Sequence, residues 1–260
     1  MTYDNLTFGW VPLRYLWAER CIGMQVAAEK EVTTDSRWVA AHALNWEDLP
    51  AEEVVRRAGA LFGDRLALTV SFGGAAGMVL LDLTLKHAPH TPVLLIDTGA
   101  LFDETYRTVE EVERFYGISV QRIRPRQTLA EQAAAFGERL WEREPDRCCQ
   151  MRKVEPLAEA LKGYRGWMTA IRRDQTAARG ATPVLAWSAK HNLAKMSPLA
   201  GWTSDDVWLY VHKHVLPYNP LLADGYKSLG CKTCTKRTLS SDDRSGRWAG
   251  FTKTECGLHI

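Results

Sequence analysis

Apolar residues along this chain fall into short runs separated by amphipathic stretches, and the pattern sharpens from Asn45 onward. Val54, Val55, Ala58 and Leu61 recur at helical spacing, which predicts a helix over 50–62 capped by Asn45 or Asp48. LALTV (66–70) and VLLI (93–96) are continuous apolar runs of strand length. Each stops at a turn containing glycine, SFGGAAG at 71–77 and DTG at 97–99, and helical spacing resumes over 78–86 and 102–116. Gly117 punctuates the second of these helices. Further strands are predicted at 118–123, 167–171 and 183–187, with helical character through 128–162. Thr203 caps a short helix over 205–212, whose first turn carries Asp205 and Asp206. Strands alternating with helices predict an α/β fold, a parallel sheet with helices on both faces. Ligands bind such sheets beyond the carboxyl ends of the strands, where the 71–77 and 97–99 turns fall.

Residues 1–45 read as an N-terminal extension. Its one feature is an apolar-aromatic, helical stretch at 13–28, in which Cys21 packs as a small hydrophobe. The α/β domain is expected over 46–228. A loop-rich basic segment follows over 229–260, with no repeat or linker between them. Lys and Arg total 33 against 31 Asp and Glu, a net charge of +2. No bulk field therefore recruits nucleic acid or a membrane surface. No run reaches the roughly 20 apolar residues of a membrane span, and the first residues lack a signal peptide's continuous apolar region. A cytoplasmic location is the expectation, where paired cysteines serve metals or redox chemistry more than structural disulfides.

Five of the six cysteines carry the chemical signal. Cys148 and Cys149 are adjacent, Cys231 and Cys234 form a Cys-x-x-Cys pair, and Cys256 stands alone three residues before His259. Four thiolates in two pairs suit Zn²⁺ or an iron–sulfur cluster. Adjacent side chains on a helix diverge by roughly 100°, which is awkward around one tetrahedral ion and easier around a cluster. The alternative, scattered buried cysteines, leaves the pairing unexplained. Cys256 has Lys253 and His259 as neighbours and Arg244 and Arg247 upstream, and positive charge keeps a nucleophilic thiolate populated. Its bland alternative is a frayed, inert tail. The Ser-Phe-Gly-Gly turn can aim backbone N–H groups at a phosphate, although it lacks the Lys and Ser/Thr of a Walker-type loop. Lys153, Arg172, Arg173, Arg179, Arg244 and Arg247 can converge on an anion, although singly each is an ordinary solvated charge. His87, His90, His191, His212 and His214 show no ligand spacing and read as structural or surface residues.

VSFGG (70–74), DTGALFDET (97–105), CCQMRKVEPL (148–157), RRDQTAAR (172–179), WTSDDVWLY (202–210), CKTC (231–234), RSGRW (244–248) and KTECGLH (253–259) together carry a family resemblance. From about Leu66 onward the chain resembles the assimilatory sulfonucleotide reductases, the adenylylsulfate (APS) and phosphoadenylylsulfate (PAPS) reductases. The resemblance implies the adenine-nucleotide α-hydrolase-like (PP-loop) fold and a [4Fe-4S] cluster on Cys148, Cys149, Cys231 and Cys234. It implies that Cys256 attacks the substrate sulfur, expels AMP and carries an S-sulfocysteine, from which thioredoxin or a glutaredoxin-like dithiol releases sulfite. Lys153, Arg244, Arg247 and His259 match the family's phosphosulfate positions. Ser71, Gly73, the Asp97-Thr98-Gly99 loop, Ala170 and Arg179 match those that hold adenosine and its phosphate. The cysteine set favours APS, with PAPS or dual use as the alternative; self-association is left open.

Two departures stand out. Gly74–Gly77 carries no acidic residue after the SFG turn, and Ala170 replaces the family's glycine before the arginine pair. An ATP pyrophosphatase of the same fold would need an SGGxDS loop, which is missing. A zinc-stabilised nucleic-acid-binding protein would leave Cys256 without a role.

Overall fold

The computed structural model describes residues 34–239, 244–248, 250–253 and 255–259. Residues Thr33–Ile260 form one compact unit, which carries everything below. Cys21 and the helix predicted at 13–28 lie outside the described residues.

A six-stranded sheet forms the centre, in the order β3-β2-β1-β4-β6-β5. Its strands are β1 (Leu66–Thr69), β2 (Val93–Ile96), β3 (Val120–Ile123), β4 (Gly166–Thr169), β5 (Leu185–Ser188) and β6 (Leu193–Met196). Strands β1 to β4 and β6 run parallel. The parallel sheet expected from the pattern is present, with β5 added antiparallel to β6 at its edge. Strand β6 was missed because LAKM puts a lysine inside a four-residue run, too short and mixed for a period to show.

Alternation on the central strands explains the two layers. Leu66 and Leu68 of β1 point into a large cluster with Leu95, Met168, Ala194 and Met196, whereas Ala67 points to the other face with Leu94, Trp167 and Leu193. The large face is covered by α1 (Ser36–Glu47), α2 (Ala51–Phe62), α3 (Ala75–His87), α4 (Asp103–Tyr116) and, further along, α9 (Ser204–His214), which contribute Trp46, Val55, Leu80, Val109 and Val207. On the smaller face lie Leu157, from α8 (Glu155–Ala160), and the adjoining Leu161. Each fully buried Leu contributes about 1.5–3 kcal/mol.

Helix α1 begins inside the stretch left unassigned by patterning. Asp35 caps it, accepting from the backbone N–H groups of Arg37 and Trp38. Glu47 at its end accepts from the Val184 N–H at 3.1 Å and pairs with Arg173, so the helix is pinned against the β5 edge. Asp48 ends α1 rather than starting α2, which begins after Pro50 with no side-chain cap. The helical stretch over 128–162 resolves into α5 (Leu129–Phe136), α6 (Leu140–Arg143), α7 (Pro145–Cys149), a π turn (Gln150–Val154) and α8. Gly137 and the left-handed Arg139 break it first, and Pro145 then starts α7.

Candidate active site

The first residues of the site follow β1. Phe72 takes a left-handed conformation (φ 52°) and is buried, and Gly74 starts α3 without a side-chain cap. The first N–H groups of α3 therefore have no capping side chain. The strained Phe72 is held by Asn219, whose buried Nδ2 donates to the Phe72 carbonyl and to Thr105 Oγ1, both at 3.1 Å. Strain over-determined in this way is typical of functional turns. Asn219 was not singled out from sequence, since an Asn before Pro reads as an ordinary turn residue.

A cavity of about 210 Å³ opens beyond the carboxyl ends of β1 and β4. Ser71, Gly73, Thr98 and Ala170 line it on the strand side. Lys153, Arg179, Arg244, Arg247, Cys256 and His259 line it from the helical and C-terminal segments. Asp97 and Gly99 do not line it. Asp97 instead holds the turn that presents Thr98, accepting from Tyr106 Oη at 2.7 Å, the Gly99 N–H at 3.1 Å and Arg124 at 3.2 Å. Burial opposes its charge, but these donors outweigh burial and hold its carboxyl below the ordinary value. Gln175, Ser228, Leu229 and Trp167 also line the cavity without having been singled out, being individually common residue types.

Four cations surround one indole. Lys153, Arg244, Arg247 and Lys253 lie 5.9, 5.5, 4.6 and 5.4 Å from the ring of Trp248, which is buried. Gly230 makes room for this group: a Cβ there would lie 2.2 Å from Arg247 Nη2. Arg247 is itself buried and donates to the Leu229 carbonyl at 3.2 Å. Burial, then the neighbouring Arg247 and Arg179, bring Arg244 down to about 10. Burial likewise pushes His259 well down, followed by the charges of Lys195 and Arg179, so its imidazole is neutral. Among the described residues the buried Nδ1 of His259 finds no hydrogen-bond partner.

The tail is docked rather than frayed. His259 stacks on Trp167 with ring centroids 5.5 Å apart. Lys190 Nζ donates to the Gly257 carbonyl at 2.7 Å, and Lys195 Nζ to the His259 carbonyl at 2.9 Å. Both lysines belong to the β5–β6 hairpin that patterning only half recognised. Cys256 is half-buried and also faces a second depression of about 400 Å³ on its other side, lined by Asp146, Gln150, Thr252 and Lys253. One sulfur is thus shared by an inner cavity and an outer approach. His191, read as structural or surface, packs edge-on to Trp167 at 5.3 Å behind the tail.

Cys148, Cys149, Cys231 and Cys234 line one small pocket, closed by Leu129, Trp141 and Pro145. All four are free thiols. Among the described residues no three His, Cys, Asp or Glu side chains converge as ligands of a single metal ion. Four cysteine thiols around one pocket form a donor set of the kind that holds an iron–sulfur cluster. Hydroxyls and an amide face the sulfurs, with Thr98 Oγ1 3.3 Å from Cys231 and Gln132 Nε2 3.9 Å from Cys148. Burial and then neighbouring Cys149 push the Cys148 thiol up to about 11, a cost that a bound cation would remove. At Cys231 burial acts upward but Lys153 and Thr98 prevail, and the thiol is lowered. Reciprocally, burial opposes the charge on Lys153, but Cys231 and Cys256 raise it. Lys153 lines both pockets and forms their common wall. Arg152, buried behind it, donates to the Thr98 and Gln127 carbonyls and to Gln132, tying three loops together.

The family model for the phosphoadenosine phosphosulfate reductase domain matches residues 65–237. An adenosine 5′-phosphosulfate reductase of Streptomyces coelicolor is 44% identical over 238 residues, covering 91% of this chain and all of that protein. Adenosine 5′-phosphosulfate reductase 1 of Bacillus subtilis is 43% identical, covering 83% and 97%. Among solved structures, a phosphoadenylyl-sulfate reductase from Candida auris in a phosphate complex superposes with a TM-score of 0.69 at 30% identity, covering 79% of this chain and 99% of that one.

Proposed function

The chain belongs to the phosphoadenosine phosphosulfate reductase family, and from that membership we propose that it reduces adenosine 5′-phosphosulfate to sulfite and AMP in sulfate assimilation. The observation that carries this reading is Cys256 lining one cavity together with Lys153, Arg179, Arg244 and Arg247. The names of its relatives favour APS. PAPS is the alternative, since the solved relative named above acts on it.

The adenosine and its phosphate lie along Ser71, Gly73, Thr98, Ala170 and Arg179, with the α3 N–H groups facing the phosphate. The sulfate reaches Lys153, Arg244, Arg247 and His259. The Cys256 thiolate attacks the substrate sulfur, an S–S bond forms, and the S–O bond to the phosphate breaks with its electron pair leaving on AMP. The surrounding cations offset charge as it develops on the departing phosphate and on the sulfonate. A dithiol such as thioredoxin then attacks Cys256 Sγ from the outer depression, and sulfite leaves with the S–S electron pair. The second thiol of the donor resolves the mixed disulfide and regenerates the Cys256 thiolate. The dithiol supplies both electrons.

Cys148, Cys149, Cys231 and Cys234 would hold a [4Fe-4S] cluster. When bound, such a cluster supplies fixed charge behind Lys153 and braces the wall of the nucleotide cavity. The described residues contain no helix long and apolar enough to cross a membrane, and a cytoplasmic location agrees with free thiols and a dithiol donor.

The test is single-turnover mass spectrometry of anaerobically purified protein given APS or PAPS without a dithiol. We expect a sulfonate adduct on Cys256 that disappears on adding thioredoxin, with sulfite released and the faster nucleotide naming the substrate. Absence of any adduct from either nucleotide, in protein that retains its iron, refutes the reading.

A further inference from the structure

The residue before the proposed nucleophile has a use that its position in the sequence does not reveal. Glu255 places its carboxylate on two of the guanidiniums that line the nucleotide cavity. Arg179 grips it bidentately, Nε to Oε1 at 2.8 Å and Nη2 to Oε2 at 2.7 Å. Arg244 Nη2 approaches the same Oε2 at 3.5 Å. The side chains of Glu255, Arg179 and Arg244 are only 9%, 11% and 12% exposed, so the cluster is nearly dehydrated. We propose that Glu255 is an internal stand-in for the nucleotide's phosphate, a specificity-determining residue that competes with the substrate for the Arg179–Arg244 anion position. This rests on the nucleotide-binding reading above.

The chemistry of the pair supports competition. A guanidinium presents the same planar fork to a carboxylate and to a phosphate, and it cannot grip both bidentately at once. Two arginines share one carboxylate, which leaves the cluster net positive, and Lys195 adds charge beside it. The phosphate of AMP is a dianion, and the phosphosulfate of the substrate carries two negative charges over its two groups. Either matches that charge better than a single carboxylate does. Burying two guanidiniums without an anion is costly. Glu255 removes that cost in nucleotide-free protein, and an arriving phosphate takes its place as the partner anion.

Neither partner depends on Glu255 for its position. Arg179 Nη1 is also held by Gln175 Oε1 at 2.5 Å. Arg244 lies over the Trp248 ring at 5.5 Å. The tail has its own anchors on the far side of Cys256, through Lys190 and Lys195 to backbone carbonyls and through His259 on Trp167. Releasing the carboxylate therefore frees the peptide next to Cys256 while the tail stays seated. Phosphate recognition is thereby linked to the mobility of the nucleophile by one covalent bond.

Calorimetric titration with AMP and with adenosine tests this on the full-length, iron-replete protein. In Glu255→Gln the competing charge is gone, and AMP should bind about tenfold more tightly, the factor expected when a site nine-tenths self-occupied is released. Adenosine, which has no phosphate, should bind as it does to wild type. A purely structural role for Glu255 would weaken both or change neither. An AMP affinity that is unchanged or reduced in the folded Gln variant overturns the proposal. Glu255→Asp covers a Gln variant that does not fold: it keeps the charge but shortens the reach, and AMP should tighten by about threefold, with no change again overturning the idea. Wild-type protein that binds neither AMP nor adenosine would reject the nucleotide reading itself.

Discussion

Gly73 sits where the turn after β1 meets the strand of chain that carries the Cys-x-x-Cys pair, and a single methyl group there tests the architecture of the site. A Cβ built on Gly73 would lie 2.8 Å from Leu229 Cβ and 2.9 Å from the Leu229 carbonyl oxygen. Normal carbon contacts begin near 3.5 Å, so Leu229 must retreat by about 0.7 Å. It cannot do so freely, because its N–H donates to the Gly73 carbonyl at 3.2 Å and its own carbonyl accepts from Arg247. Gly73 is not among the left-handed residues, so alanine fits its backbone and the clash alone sets the cost. Overpacking of this kind costs about 1–3 kcal/mol, or a Tm decrease of about 2–12 °C at about 2–4 °C per kcal/mol for a domain of this size.

Displacing Leu229 also moves Gly230 and Arg247 on the cavity wall, so AMP binding should weaken alongside the loss of Tm. Gly74→Ala is the control. A Cβ there meets nothing within 4 Å and the backbone is extended. Loss of a glycine N-cap and the gain in unfolded-state rigidity nearly cancel, leaving the change within about 0.5 kcal/mol. Calorimetry and AMP titration on both variants decide the matter. If Gly73→Ala matches Gly74→Ala in Tm and in affinity, the close packing of turn against cysteine segment is not what shapes the site.

Asp97 supplies a pH-dependent term. Its folded carboxyl titrates below its ordinary value, so its stabilisation is complete above about pH 4, where the unfolded side chain is ionised, and fades as pH falls further. Asp97→Asn should be less stable than wild type at pH 7, with the gap closing below about pH 4 in acid-denaturation curves. A gap that stays constant to pH 2 contradicts the assignment. Replacing Lys190 and Lys195 together by Met removes two charged donors from the tail, each bond worth about 1.5–3 kcal/mol when buried and less where exposed. Sulfite formation should fall at least about tenfold in kcat, and hydrogen exchange over 255–259 should rise. Unaltered exchange there would remove the hairpin's role.

Much of the fold was legible because its signals are local. LALTV and VLLI are apolar throughout, as strands covered on both faces must be, and the glycine turns after them mark the carboxyl edge where a ligand binds. Thr203 announced its helix through a capping box that needs only four residues. Strand β6 failed to announce itself because its lysine faces the C-terminal segment, and only the docked tail explains a cation there.

By itself the amino-acid sequence determined the order of most elements, α1 and β6 excepted, the identity of the chemical groups and the family that their motifs resemble. Each of these depends on residues within a few positions of one another, or on residue types that can be read without coordinates. The tertiary structure alone decided which groups share a space. Cys148 and Cys231 meet in one pocket although 83 positions separate them, and Lys153 forms the wall between that pocket and the cavity that Cys256 lines. Asp97 and Gly99, adjacent to Thr98 in the chain, do not line the cavity that Thr98 lines, and the Asp97 carboxylate is instead engaged by the Gly99 N–H and Tyr106. The grip of Arg179 on Glu255 spans 76 positions and exists only because the C-terminal segment folds back over the strand ends. Pattern along a chain cannot encode such a contact, since its energy comes from desolvation and charge pairing between segments that have no sequence relation to each other.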